Sequence, residues 1–151
     1  MNKTLRKNLR QSIALIVLML TSVIAYSQAG TAVLITVQNA IQTSPTTFTY
    51  DVMLTNTGTT ALALRGYAAG INHAAGMNNG GVITHTFVSR DPLLATIPSV
   101  SPGYTAASNH LRLTTVNATA GNEVNLTSGV PVRLATMQVS CTVAFPSDFN
   151  P

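Results

Sequence analysis

Apolar and polar residues alternate most cleanly over residues 46–58, TTFTYDVMLTNTG. Phe48, Tyr50, Val52 and Leu54 fall on every second position. Thr47, Thr49, Asp51 and Thr55 fall between them, and Met53 is the one exception. Successive side chains of an extended chain point to opposite faces, so a period of two predicts a strand with one face in a core and the other in water. Asn56, Thr57 and Gly58 then supply the turn-forming residues that end it.

The rest of the chain reads as strands packing on this one. Residues 31–38 predict a first strand with Val33, Ile35 and Val37 on one face, and Leu34 on the other face points to burial on both sides. Residues 42–45 are a turn. Residues 61–71 form a third strand region in which Gly66, Ala68 and Gly70 strip one face of bulk. A glycine inside a strand marks a bulge or a close backbone approach. Residues 72–81, NHAAGMNNGG, are a loop rich in residues that tolerate positive φ. Residues 82–89 predict a fourth strand of ambiguous parity, with Ile83 and Phe87 favouring one face and Val82 and Val88 the other.

Residues 90–108 are a long connection containing Pro92, Pro98, Pro102 and Gly103. A structureless loop of that length is uncommon, so short strand pieces are expected inside it. Residues 110–116 predict a strand with Leu111 and Leu113 inward. Residues 117–129 are a polar loop with a short edge strand around Val124. Residues 132–145 are the last long strand, and their apolar parity switches between Leu134 and Met137, as a bulge requires. No helical period follows the leader. Seven or so strands joined by turns predict an all-β chain folded as an antiparallel β-sandwich, immunoglobulin-like or a cohesin-like jelly roll.

Charge changes the picture only at the N-terminus. The net charge of +4 and a pI near 9.7 suggest an anionic partner at first sight. Lys3, Arg6, Lys7 and Arg10 all lie in the first ten residues, however. Beyond them Arg65, Arg90, Arg112 and Arg133 balance Asp51, Asp91, Glu123 and Asp148. Four scattered arginines are not the clustered footprint that nucleic acid needs. The basic segment is followed by an apolar run over residues 13–24 and by small residues at Ala25, Ser27 and Ala29. That order is a secretory signal peptide, residues 1–27, with cleavage between Ser27 and Gln28 and Ala29 marking a competing site. The alternative, a retained membrane anchor, faces an apolar run short of the roughly 20 residues a span needs. The sandwich domain is then residues 28–151, exported to a secreted or cell-surface location.

Candidate chemistry is sparse. Cys141 is the sole cysteine and sits on an apolar strand face, where it reads as a small buried hydrophobe. His73, His85 and His110 are far apart and lack metal-ligand spacing. The acids offer no preferred pair for glycoside hydrolysis, since Asp51 points outward on its strand. Asp91, in Ser-Arg-Asp-Pro, reads as a turn residue beside Arg90. These patterns predict neither catalytic residues nor a metal site nor a cofactor. There is no Trp, and Phe48, Tyr50, Phe87 and Phe145 read as core. Tyr67 and Tyr104, with Asn72 and Asn109 as polar neighbours, are the candidates for an exposed ligand contact.

A leader ending in Ala-Tyr-Ser-Gln resembles those of Gram-negative proteins exported by the type IX route. The segments Phe48-Thr-Tyr-Asp-Val-Met-Leu-Thr-Asn-Thr-Gly, Gly70-Ile-Asn, Asn79-Gly-Gly and Val132-Arg-Leu-Ala-Thr-Met-Gln-Val are similar to cohesin-like and carbohydrate-binding-like sandwich modules of large secreted surface proteins. The resemblance implies a final strand after Phe145 and a far C-terminal sorting domain, and it leaves open whether the domain is truncated at its C-terminal end. It carries no functional residue over. The expectation is an exported, non-catalytic β-sandwich module for adhesion, protein–protein assembly or spacing at the cell surface, with a protein or glycan there as partner. The alternative is a carbohydrate-binding module attached to a downstream enzyme.

Overall fold

A computed structural model of the chain describes residues 32–74, 76–147 and 151. The leader with its Ser27–Gln28 junction, and Asp148, lie outside the described residues. Nine strands follow one another: β1 (Val33–Ser44), β2 (Thr47–Asn56), β3 (Leu62–Leu64), β4 (Ala68–Asn72), β5 (Ile83–Ser89), β6 (Ser101–Thr105), β7 (His110–Thr114), β8 (Val124–Leu126) and β9 (Pro131–Cys141). One sheet has the order β1-β2-β9-β5. The other layer is built from β4-β7-β6 and the short pair β3-β8. Every pairing between these strands is antiparallel. The two layers share one core, so the chain is an all-β sandwich.

The alternation of β2 becomes burial without a break. Phe48, Tyr50, Val52, Leu54 and Asn56 are buried, and each residue between them is half-exposed. β9 lies beside β2, and their register slips between Val52 and Met53, opposite Ala135 and Arg133. Leu134 and Ala135 are consecutive and both fully buried. That bulge is the physical content of the parity switch: one extra residue turns the rest of the strand over, so Met137, Val139 and Cys141 face the core.

The region expected as one strand over residues 61–71 is two, β3 and β4, interrupted at Gly66. A Cβ on Gly66 would lie 2.7 Å from Asn117 Oδ1 and 3.1 Å from Thr115 Oγ1. Only a glycine lets the crossing segment come that near. In β5 the Ile83 face wins: Ile83 and His85 are buried, while Val82 and Val88 are exposed. The long connection contains β6 and a 3-10 turn at Pro92–Leu94, where the Asp91 carboxylate accepts from Leu93 N. Leu94, Ile97 and Val100 from this connection plug the core.

The first strand departs from expectation. It runs on to Ser44, the turn falls at Pro45 and Thr46, and Leu34 is 52% exposed rather than buried. β1 is the outermost strand of its sheet among the described residues. No helix among the described residues is long and apolar enough to cross a membrane, which says nothing of strands.

Candidate functional site

The two layers are unequal. β5 and β6 lie side by side at one flank. At the other, the start of β2 and the end of β4 line one groove through Phe48, Tyr50 and Ile71. The second layer is therefore spent at β4, and β1 overhangs it by a strand. The register makes the step explicit. Ile35 and Val37 lie directly beside Leu54 and Val52. They are 40% and 46% exposed, whereas their partners are 3% and 0% exposed. Antiparallel neighbours in register share a face, so Val33, Ile35 and Val37 point to the core side and find no opposing strand among the described residues.

Under the overhang is a groove of about 430 Å³, walled by Val37 and Ala40 of β1, Phe48 and Tyr50 of β2, Ile71 of β4, and Met77. Pro146 and Pro151 of the C-terminal tail also line it, and none of its described lining residues is Asp, Glu, Lys or Arg. A left-handed Asn39 (φ 52°) and a register shift between Gln38 and Ile41 bend β1 there and turn Ala40 inward. Asn39 Nδ2 donates to Asp51 Oδ2 at 2.8 Å, and Thr136 Oγ1 donates to Asp51 Oδ1 at 2.6 Å. Asp51 does face outward, where it ties three strands together.

The four residues predicted from sequence separate. Tyr67 is buried, and its hydroxyl donates to Leu134 O at 2.7 Å. Burial raises its pKa, against the smaller opposing influence of the Arg90 guanidinium. It anchors one layer to the other and offers no exposed platform. Tyr104 and Asn109 meet at one end of the second layer. The Tyr104 ring stacks on His73 with centroids 5.6 Å apart, and His73 N donates to Asn109 O at 3.0 Å. Tyr104 belongs to the inward row with Leu111 and Ile71, so it is half-buried and one ring face is taken. Asn72 sits one residue over, on the outer face, in a row with His110 and Thr105.

The titratable groups do not converge. His73 Nδ1 donates to Ala74 O at 2.8 Å, and its covered Nε2 has no partner. His85 is buried between Tyr50 and Gly103. Glu123 faces Arg65 at 3.6 Å. Cys141 is buried, its thiol 3.2 Å from Asn78 O. Among the described residues no three His, Cys, Asp or Glu side chains gather as a metal site.

Sequence reasoning overlooked the overhang, although its signal was present. β1, VLITVQNAIQTS, contains no charge in twelve residues and carries aliphatics on both faces. Such a pattern fits a strand buried on two sides and equally an edge strand awaiting a partner. Only the count of strands in the opposite layer separates these. Comparison of the chain with protein-family models, with curated proteins and with solved structures finds no match.

Proposed function

We propose that the chain is an exported, non-catalytic β-sandwich module that serves adhesion or protein–protein assembly at the cell surface. The observation that carries this reading is β1: a long, uncharged strand that stands at the edge of its sheet among the described residues, with an inner apolar row, Val33, Ile35 and Val37, that is nearly half exposed. Monomeric proteins blunt such edges with charges, prolines or covering loops, because an exposed row of backbone donors and acceptors recruits another strand. Among the described residues the stretch from Val33 to Gln38, before the first of the two register shifts of β1, carries none of these protections, as an edge used for pairing requires. The leader pattern supports export, and the near-absence of charge beyond it supports contacts made through backbone, Thr, Asn and aliphatic groups.

Antibody labelling of intact, unpermeabilised cells tests the proposal, together with cell–cell aggregation in a strain lacking the chain. Surface labelling and reduced aggregation are expected. A chain retained inside the cell with residues 1–27 uncleaved overturns it.

A second reading, a carbohydrate-binding module, draws on the outer face of the second layer. There Asn72, His110 and Thr105 form one row, and Arg112 follows between Gly70 and Gly103. This face is flat and polar. It lacks the exposed aromatic ring that sugar stacking uses, because Tyr104 turns inward. Glycan-array binding that is lost in Asn72→Ala and His110→Ala, yet kept in β1 variants, would favour it over assembly.

A further inference from the structure

We infer that the outer face of the second layer is a docking site for an acidic glycan. The Arg112 guanidinium holds a uronate carboxylate, and the bare backbone at Gly70 seats the sugar ring. This deepens the carbohydrate-binding reading above and rests on it.

Two glycines mark the place. Gly70, Arg112 and Gly103 are register partners in one row across β4, β7 and β6, with Arg112 in the middle. A glycine within a strand weakens it, so its presence there needs a reason. The two ordinary reasons do not apply. The described glycines with positive φ are Gly76, Gly80, Gly121 and Gly129, all outside this row. A Cβ on Gly70 would meet nothing within 4 Å, and one on Gly103 would meet only the Arg112 side chain, at 3.8 and 3.9 Å. The fold therefore has room for a side chain at both positions. What the glycines leave open lies outside the fold, where a ligand can approach the backbone closely.

Arg112 supplies the charge. It is exposed, and among the described residues its guanidinium has no hydrogen-bond or ion-pair partner. Arg65, by contrast, faces Glu123 and donates to Ala118 O at 3.1 Å, and Arg90 donates to Pro98 O at 3.0 Å. Arg133 is half-buried in the other sheet. No Asp or Glu stands on β4, β6 or β7 to neutralise Arg112. A free guanidinium presents a planar fork of N–H donors that matches a planar carboxylate. One guanidinium suits one such group, whereas a densely charged polyanion calls for clustered bases, as nucleic acid does.

The next row suits sugar hydroxyls. Asn72, His110 and Thr105 lie about 7 Å further along the strands. Each side chain both donates and accepts hydrogen bonds. The ion pair then provides the anchoring that an aromatic platform would otherwise give. Size argues for a small ligand over a protein. Three strands of five residues span on the order of 200 Å². A standard protein interface takes roughly 800 Å² per partner around an apolar centre, and here the centre is an arginine between two glycines.

Isothermal titration of the full chain, purified after export, with galacturonate oligomers and with their methyl esters tests the site. The ester keeps every ring and hydroxyl and removes the charge. The wild type is expected to bind the acid form, more weakly as salt is raised, and to bind the ester far less. Arg112→Gln should weaken binding roughly 10-fold or more. Gly70→Val should weaken it as much while leaving the thermal midpoint undiminished, which separates the seat from any structural role. Arg65→Gln removes an equal charge elsewhere and should change nothing. Equal binding of acid and ester overturns the inference, as does binding that survives in Arg112→Gln or Gly70→Val. So does equal competition by dextran sulfate or by an Asp-rich peptide, which would mark general attraction of anions or a protein partner. Binding of neutral glycans that is lost in Asn72→Ala but kept in Arg112→Gln removes the acidic specificity and leaves the carbohydrate-binding reading standing. A wild type that binds no glycan of either kind overturns both.

Discussion

Val37 and Val52 are register partners on adjacent strands, with side chains on the same face of one sheet, yet Val52 is fully buried and Val37 is nearly half exposed. The edge of the opposing layer runs between them. Two chemically identical side chains, one strand-spacing apart, thus have different energetic roles. Val52→Ala removes two methyls from a closed core and should cost about 2 kcal/mol. Val37→Ala should cost less than about 0.5 kcal/mol in the isolated molecule. Urea denaturation at low protein concentration measures both, and equal losses would show that the inner face of β1 is covered within a single copy.

His85 gives the fold a pH dependence with a defined sign. Its Nδ1 lies 3.1 Å from Gly103 O, and a carbonyl only accepts, so Nδ1 carries the proton. Nε2 is then the acceptor for the Tyr50 hydroxyl at 2.7 Å. The neutral ring is satisfied on both sides. Burial lowers the His85 pKa below its usual 6.5, although backbone bonds with Gly103 and Arg112 push the other way. The unfolded chain therefore binds more protons than the fold just below pH 6.5. The stability contribution of His85 is complete above that pH and is lost as pH falls toward the lowered native value. Urea midpoints measured between pH 7 and pH 5 should fall, and His85→Gln should flatten the fall.

Tyr50 acts in the opposite direction at the alkaline end. Burial raises its phenol pKa well above 10.0. The fold keeps the proton that the unfolded chain gives up, so stability holds below pH 10 and declines above it. Tyr50→Phe should remove this alkaline decline. It should also cost about 1–2 kcal/mol at neutral pH, because the buried Nε2 of His85 loses its donor.

The sequence marks Gly66 and Gly70 alike, as glycines within an extended stretch, and the structure gives them opposite roles. A Cβ at Gly66 meets Asn117, Thr115 and the Val116 carbonyl within 3.2 Å, whereas one at Gly70 meets nothing within 4 Å. Gly66→Ala must push the 115–117 segment away and should destabilise by about 1–3 kcal/mol. Gly70→Ala should be neutral or stabilising by up to about 1 kcal/mol, by restricting the unfolded chain. Thermal denaturation of the two variants should show shifts that differ in size and sign.

Legibility followed locality. The alternation of β2, the bulge in β9, the short strand at Val124 and strand structure within residues 90–108 are all written in neighbouring residues, and the structure contains each of them. The state of β1 depends on how many strands the other layer has, which no local pattern records. Leu34 was thus expected inside and lies outside. The burial of the two candidate tyrosines was illegible for a related reason. Whether Tyr67 or Tyr104 is exposed depends on its face of the strand, and the glycine-rich break at Gly66 hides the parity of the region that follows. Tyr67 spans the layers to Leu134, a contact 67 residues away in the chain.

Asn56 shows the same limit from the other side, because its residue type suggested only a turn. It is fully buried at the end of β2. Its Nδ2 donates to Thr60 O at 2.7 Å and to Leu126 O at 3.1 Å, and its Oδ1 accepts from Gly58 N at 3.0 Å. Its own carbonyl accepts from Gly129 N at 2.8 Å. One side chain thus closes the turn after β2 and fastens it to β8. Asn56→Ala strands two carbonyls and one amide away from water and should cost about 3 kcal/mol or more. Asn56→Asp is the sharper test. It keeps the shape and the acceptor for Gly58 N, but it turns a carboxylate oxygen toward two carbonyl oxygens. At neutral pH it should destabilise at least as much as Asn56→Ala. Protonation restores a donor, so the deficit of the Asp variant should shrink as pH falls toward about 4, while that of the Ala variant follows the wild-type profile. Equal deficits for the two variants across that range would show that the Thr60 and Leu126 bonds contribute little to holding the layers together.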